Sequence, residues 1–217
     1  MSSYFIYDDH AVQYLKSKDK KLAACIDQIG HINRPVDDSL FTSVIHQMIG
    51  QQISTKAQET IWNRMQADLG TVTPQTVLRA GEERIQSYRT TFRKASYICR
   101  FAGKVDNGSF NLEQIMTLPD DEVIRQLVLL DGIGLWTAEM IMLFGMQRQN
   151  ILSFSDLAII RGMRMIYRHR EISRDRFEKY RKRYSPYGSV ASLYLWAAAG
   201  GAIPGLTDPK SRKRRQK

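Results

Sequence analysis

The residue whose type and setting could do chemistry is Asp156, a lone acid delivered by an apolar segment and followed by a helical pattern that begins at Leu157. One carboxylate in apolar surroundings can stabilise a developing positive charge or orient an attacking water. The same position also suits a helix N-cap, for which aspartate is among the best residues, with Ser155 as an alternative cap. Upstream, Gly132-Ile133-Gly134 precedes a run, from Leu135 to Met146, whose only charged member is Glu139. A tight turn therefore feeds a helix that is apolar nearly all round, and such a helix is buried. Glycine at both positions permits positive φ and close approach, so backbone N–H groups can converge on an anion at the start of the next helix. A phosphate is the natural guest.

These elements sit in a basic chain of 217 residues with 43% hydrophobic content, enough for one large domain or two lobes with a substantial core. The formal charge is +10, and its distribution is uneven. Residues 161–183 hold ten Lys/Arg against three Asp/Glu, and residues 210–217 add six more basic residues. Arg161, Arg164 and Arg168 are spaced to share one helix face directly after Asp156. A polyanionic partner accounts for this pattern; a solvated surface helix and a solvated tail are the plainer account. The segment Lys210 to Lys217 is expected to be a disordered basic tail.

Only Cys25 and Cys99 occur, far apart and without neighbouring ligand residues. Neither a disulfide framework nor a structural zinc site is supported, and two cysteines cannot supply the four thiolates of an iron–sulfur cluster. The N-terminus lacks an apolar signal-peptide core and no apolar run reaches membrane-spanning length, so a soluble cytoplasmic protein is expected.

Helical periodicity dominates. Residues 9–29 read as two short helices broken near Lys16 to Lys21, and Leu40, Phe41, Val44, Ile45, Met48 and Ile49 form a clean stripe. Gly50-Gln51-Gln52-Ile53-Ser54 interrupts it, and a new stripe runs through Ala57, Ile61, Trp62, Met65 and Leu69. Ser54 or Thr55 can cap that helix, and Thr55 with Gln58 fits a capping box. Thr73-Pro74, Asn111 and Pro119 mark further helix starts. The last segment, Tyr184 to Trp196, reads as a capped helix stopped by Gly200-Gly201. No alternating strand pattern with a hairpin turn occurs, so the expected fold is all-α.

The pattern L-x-G-I-G-x-W-T-A-E-M at 130–140, followed by F-S-D-L at 154–157, resembles the helix-hairpin-helix DNA glycosylase superfamily, in its 3-methyladenine DNA glycosylase II branch. The resemblance extends from Asp9 to Trp196. It implies a two-lobed helical bundle without an N-terminal sheet domain, with lobe one at about 36–130, lobe two combining 1–35 with 131–209, and DNA held in the cleft. It implies a monofunctional enzyme that flips an alkylated purine out of double-stranded DNA and hydrolyses its N-glycosidic bond. The alternatives are a bifunctional glycosylase/lyase and a non-catalytic helix-hairpin-helix DNA-binding module. A monomer with no required cofactor is expected.

By the same resemblance, Asp156 is catalytic and faces the sugar, and Trp136 and Tyr184 offer stacking faces to the base. Core packing is the plainer role for Trp136. Gly132, Gly134 and Thr137 at the hairpin, with Arg161 and Arg164, would contact DNA. The backbone carbonyls of Val128, Leu130 and Ile133 would hold a Na+ or K+ ion. Gln52, in I-G-Q-Q-I-S, occupies the position that enters the minor groove and fills the hole left by the extruded base; a plain helix connection is the alternative. The family commonly has tryptophan at the position of Tyr184 and arginine at that of Gly188. Lys94 and Tyr97 read as core or surface helix residues, and Trp196, within an apolar helix, as core.

Overall fold

The computed structural model describes residues 4–209, and the basic segment 210–217 lies outside them. The described residues form twelve α-helices: α1 (Asp9–Lys18), α2 (Lys20–Ile29), α3 (Leu40–Gly50), α4 (Thr55–Leu69), α5 (Pro74–Ser87), α6 (Phe92–Asp106), α7 (Leu112–Thr117), α8 (Asp120–Leu127), α9 (Leu135–Phe144), α10 (Leu157–Tyr167), α11 (Arg174–Tyr184) and α12 (Gly188–Ala199). One isolated bridge pairs Tyr4 with Pro35. The all-α class read from periodicity is the observed one. Among the described residues no helix is long and apolar enough to cross a membrane.

Local chemistry places the breaks. Asp19 ends α1 and caps α2, accepting the Lys21 and Leu22 amides at 3.0 Å each. Asn111 and Thr73 cap as expected, the latter in a capping box with Thr76. The box expected at Thr55 does not form. Ser54 caps α4, and Gln58 instead reaches back to donate to the His46 carbonyl at 2.8 Å.

The chain divides into two compact units, one of Val36–Met146 and one built from Tyr4–Pro35 with 147–209. The expected boundary at Leu130 thus moves to Met146, and the reason is packing. Helix α9 is buried from Met140 to Phe144 and packs on α3 and α8. At its end Gly145 lies so close to Ser43 of α3 that a Cβ would stand 2.6 Å from the serine Cβ. The core of this unit joins Val44, Ile45, Met48 and Ile49 of α3 to Ile98 and Phe101 of α6, with Phe41 and Phe101 stacked at 5.3 Å.

In the other unit α10 and α12 pack against each other and against α2. Their crossing is unusually close: a Cβ on Gly162 would lie 2.2 Å from the Leu195 carbonyl oxygen. Only glycine lets the backbones meet there. Gly162→Ala is therefore expected to destabilise the protein by about 1–3 kcal/mol, the usual cost of overpacking, because backbone rather than a mobile side chain would have to move. Thermal denaturation checks this; a melting temperature equal to the parent's would contradict the close crossing.

Candidate functional site

Asp156 is the N-cap of α10. Its Oδ1 accepts the amides of Ala158 and Ile159 at 2.9 Å each and the indole Nε1–H of Trp196 at 3.2 Å. Three donors on one oxygen fix the carboxylate plane, and the residue is only 7% exposed. The cap role and a chemical role are thus compatible, because the start of a helix is where the macrodipole favours a negative group. Ser155 is not the cap.

The segment leading to Asp156 is docked on α12 by buried serines. Ser189 accepts the Ile151 amide at 2.9 Å and donates to the Arg148 carbonyl, and Ser192 donates to the Ile151 carbonyl at 2.8 Å. Gly188 admits this approach, because a Cβ there would stand 3.0 Å from Asn150 Oδ1. That contact explains why glycine suits a position where the resembling family commonly has arginine. Trp196 lies forty residues beyond in sequence but beside Asp156 in space, with the Arg34 guanidinium 5.9 Å from its ring centroid. Sequence reasoning placed it in the core. The signal available was its indole N–H, a polar group that needs a partner when an apolar helix carries it inward.

The second candidate element lies in the other unit, between α8 and α9. Gly132 has φ +77, and a Cβ there would stand 2.5 Å from the Tyr97 ring, so this glycine serves both the turn and its packing. Ile133 is buried, and its amide donates to the Leu130 carbonyl at 3.1 Å. Gly134 is different: its φ of −94 suits any residue and a Cβ would meet nothing within 4 Å. It caps α9 without a side chain, leaving the first-turn amides, which no α-helix can pair internally, to an outside acceptor. Trp136, in that first turn, is 37% exposed.

Beside the hairpin stands the loop after α3. Gln52 is exposed and adopts φ +58, a left-handed conformation costly for a residue with a side chain. Its neighbours are tied down. Gln51 Nε2 donates to the Gly132 carbonyl at 2.8 Å and to Thr137 Oγ1 at 3.3 Å. Lys94 Nζ donates to the carbonyls of Ile49 at 2.8 Å and Gln51 at 2.6 Å, and burial pushes its pKa below the ordinary lysine range. Lys94 and Tyr97, read from sequence as ordinary helix residues, thus belong to this assembly. Arg93 donates to the Tyr97 hydroxyl at 2.7 Å, and Arg100 lies 5.2 Å from the Tyr97 ring centroid.

Three expected assignments are corrected. Tyr184 is fully buried, hydrogen-bonded to Tyr167 through the two hydroxyls and stacked on Tyr180, so it presents no face to a base. Arg164 is held by Asp208 in a two-bond ion pair, with Nε donating at 3.0 Å, so it fastens the segment around Asp208 instead of projecting as a DNA contact. Thr137 is buried and its hydroxyl is engaged by Gln51. Arg161 is exposed, and Arg168 lies past the helix end in a left-handed conformation, so no continuous basic face of α10 forms. The Val128, Leu130 and Ile133 carbonyls are hard oxygen donors of a kind that suits a monovalent cation, and the Leu130 oxygen already accepts one amide while keeping a second lone pair. Among the described residues no cluster of three or more His, Cys, Asp or Glu could hold a metal ion.

Residues 45–186 match the HhH-GPD superfamily of base excision DNA repair proteins, and the chain belongs to that superfamily. It is similar to the structure of a DNA-3-methyladenine glycosidase from Bacillus halodurans, at 31% identity and TM-score 0.78 over 91% of this chain and 93% of that one. A DNA-3-methyladenine glycosylase 1 of Schizosaccharomyces pombe is 26% identical over 161 residues, 72% of this chain and 71% of the relative. A structure of a 3-methyladenine DNA glycosylase from that yeast in complex with abasic DNA shares the fold, with TM-score 0.79 and 23% identity over 91% of this chain and 99% of that one.

The two hairpin glycines separate folding from binding. Gly134→Ala is expected to change stability by no more than about 0.5 kcal/mol while weakening binding of DNA, the ligand that membership of the superfamily points to. Gly132→Ala, which meets both positive φ and the Tyr97 ring, should destabilise by at least about 1 kcal/mol. Thermal melts beside duplex titrations check both; unchanged affinity in Gly134→Ala would rule out close backbone approach.

Proposed function

We propose that this protein is a monofunctional DNA glycosylase, acting as a monomer on double-stranded DNA, that hydrolyses the N-glycosidic bond of alkylated purines such as 3-methyladenine. The observation that carries the reading is the Asp156 carboxylate, fixed through Oδ1 by two helix amides and the Trp196 indole. The names of the similar proteins support the substrate class. A ring-nitrogen methyl group makes the purine cationic and already a good leaving group, so the protein need not protonate it. As the bond breaks, positive charge develops on the sugar. A preorganised carboxylate largely withdrawn from water stabilises that charge or orients the attacking water without reorganising, and we assign that role to Asp156.

The base must first leave the stack, at a cost of a few kcal/mol that damage reduces. In this reading the α9 first-turn amides, reached over Gly132 and Gly134, take a backbone phosphate, and Gln52 fills the vacated space with its amide. A side chain held exposed at positive φ by fixed neighbours suits that task. Trp136 offers a face to the cationic base, and Arg161 a charge to the phosphates. The Val128, Leu130 and Ile133 carbonyls would hold Na+ or K+, which would add positive charge beneath the phosphate. A lyase would need an amine where Trp136 stands, and an indole cannot form a Schiff base. A purely DNA-binding module would have no use for an indole aimed at Asp156.

Asp156→Asn tests the reading, because asparagine caps a helix nearly as well as aspartate and keeps the acceptor for Trp196. The variant should fold and bind duplex carrying an abasic-site analogue with about the parent's affinity. Its single-turnover base release should fall by at least about a hundredfold, the scale typical of losing such electrostatic stabilisation. Turnover near the parent rate would refute the assignment.

A further inference from the structure

We infer that Lys94 and Gln51 are positioning residues that fasten the loop after α3 to the hairpin, so that the wedge residue Gln52 and the phosphate grip act as one rigid piece. The inference rests on the wedge reading of Gln52 and extends it to residues that themselves need touch no DNA.

The geometry is specific. Helix α3 ends at Gly50, and its last carbonyls have no partner within the helix. The Lys94 ammonium, carried on α6, satisfies the carbonyls of Ile49 and Gln51 together, at 2.8 and 2.6 Å. A cation at a helix C-terminus is favoured by the macrodipole as well. From the other side the Gln51 amide group donates to the Gly132 carbonyl, in the turn that feeds α9. Residue 51 is thus held by its own carbonyl and by its side chain, and residue 52 follows directly with φ +58. A left-handed glutamine persists only where its surroundings over-determine it. Gly50 admits Gln58 closely, since a Cβ there would stand 2.5 Å from Gln58 Nε2, whose own hydrogen bond to the His46 carbonyl keeps it in place.

The fastening explains two features that neither element explains alone. An exposed glutamine pushed into a duplex would bend its loop back unless something resists, and two carbonyl contacts from a partly buried ammonium supply that resistance. The bond from Gln51 to Gly132 means that a hairpin seated on a phosphate also sets the height at which Gln52 stands.

The test uses Lys94→Met, which keeps the aliphatic stem and removes the donors, Lys94→Arg, which keeps a cation and donors, and Gln51→Ala, which leaves Lys94 in place. Hydrogen exchange of the peptide spanning residues 50–54 is measured beside binding to abasic-analogue duplex and to single strand of the same length. Lys94→Met should exchange this loop about tenfold faster, with α9 and α12 unaltered. It should lose about tenfold in duplex affinity and change single-strand affinity less than about twofold. On a Gln52→Ala background the further loss should be under about twofold, because residues acting as a unit are not additive. Lys94→Arg should recover part of the duplex affinity, and Gln51→Ala should loosen the same loop. Unchanged loop exchange in Lys94→Met, or losses that add in full to those of Gln52→Ala, would overturn the inference while leaving the wedge reading intact. Equal losses of duplex and single strand in Gln52→Ala itself would overturn the wedge reading and the functional half of this inference with it.

Discussion

A carboxylate removed from water is unstable as an anion unless N–H groups replace its hydration. Asp156 has such donors at Oδ1, where two amides of α10 and the Trp196 indole converge. Much of its unit follows from the need to bring those donors together. Helix α10 must begin at residue 157, which its cap ensures, and α12 must cross it closely enough for Trp196 to reach back. Gly162 provides the crossing and Gly188 lets the 148–151 segment lie against α12, where Ser189 and Ser192 hold it by its backbone. The buried tyrosines 167, 180 and 184 pack in the same unit. The carboxylate is positioned by backbone amides and by helix packing, which is the form of preorganisation that costs no rearrangement during reaction.

In the proposed reading the other unit answers a different demand, which is to offer backbone to an anion. Its means is glycine, used in two ways. Gly132 is required by the fold, through its φ and the Tyr97 ring, whereas nothing in the fold requires Gly134. A glycine without a structural reason is best explained by what approaches it from outside. The neighbouring loop is constrained by Lys94 and Gln51, so the strained conformation of Gln52 is maintained by contacts made elsewhere.

Much of this was legible in the sequence. The all-α organisation, the break between Lys16 and Lys21, the caps at Thr73 and Asn111, and the buried α9 follow from periodicity and cap chemistry, which are local. The hairpin was legible because its two glycines and the apolar run after them are adjacent in sequence. What was not legible depends on contacts between distant segments. Trp196 is forty residues from Asp156, and an apolar helix around it argued for the core. Lys94 and Tyr97 join the loop and hairpin only because α6 packs beside α3. Tyr184 and Arg164 failed the other way. Each stands where the resembling pattern or helical spacing pointed outward, yet the hydroxyl of Tyr167 and the carboxylate of Asp208 take them inward. The unit boundary moved from Leu130 to Met146 for the same reason: turn signals mark where a helix starts, and only packing on α3 and α8 decides which body it joins.

The central claim is that this carboxylate and this hairpin together release a damaged base by hydrolysis. The most direct measurement is to incubate the protein with alkylated duplex DNA and identify the released free bases by chromatography and mass spectrometry, with borohydride present in a parallel reaction. The account predicts free N-alkylated purines, 3-methyladenine among them, with intact abasic strands and no protein trapped on DNA. No free base from such DNA, or a protein–DNA adduct trapped by borohydride, would contradict it.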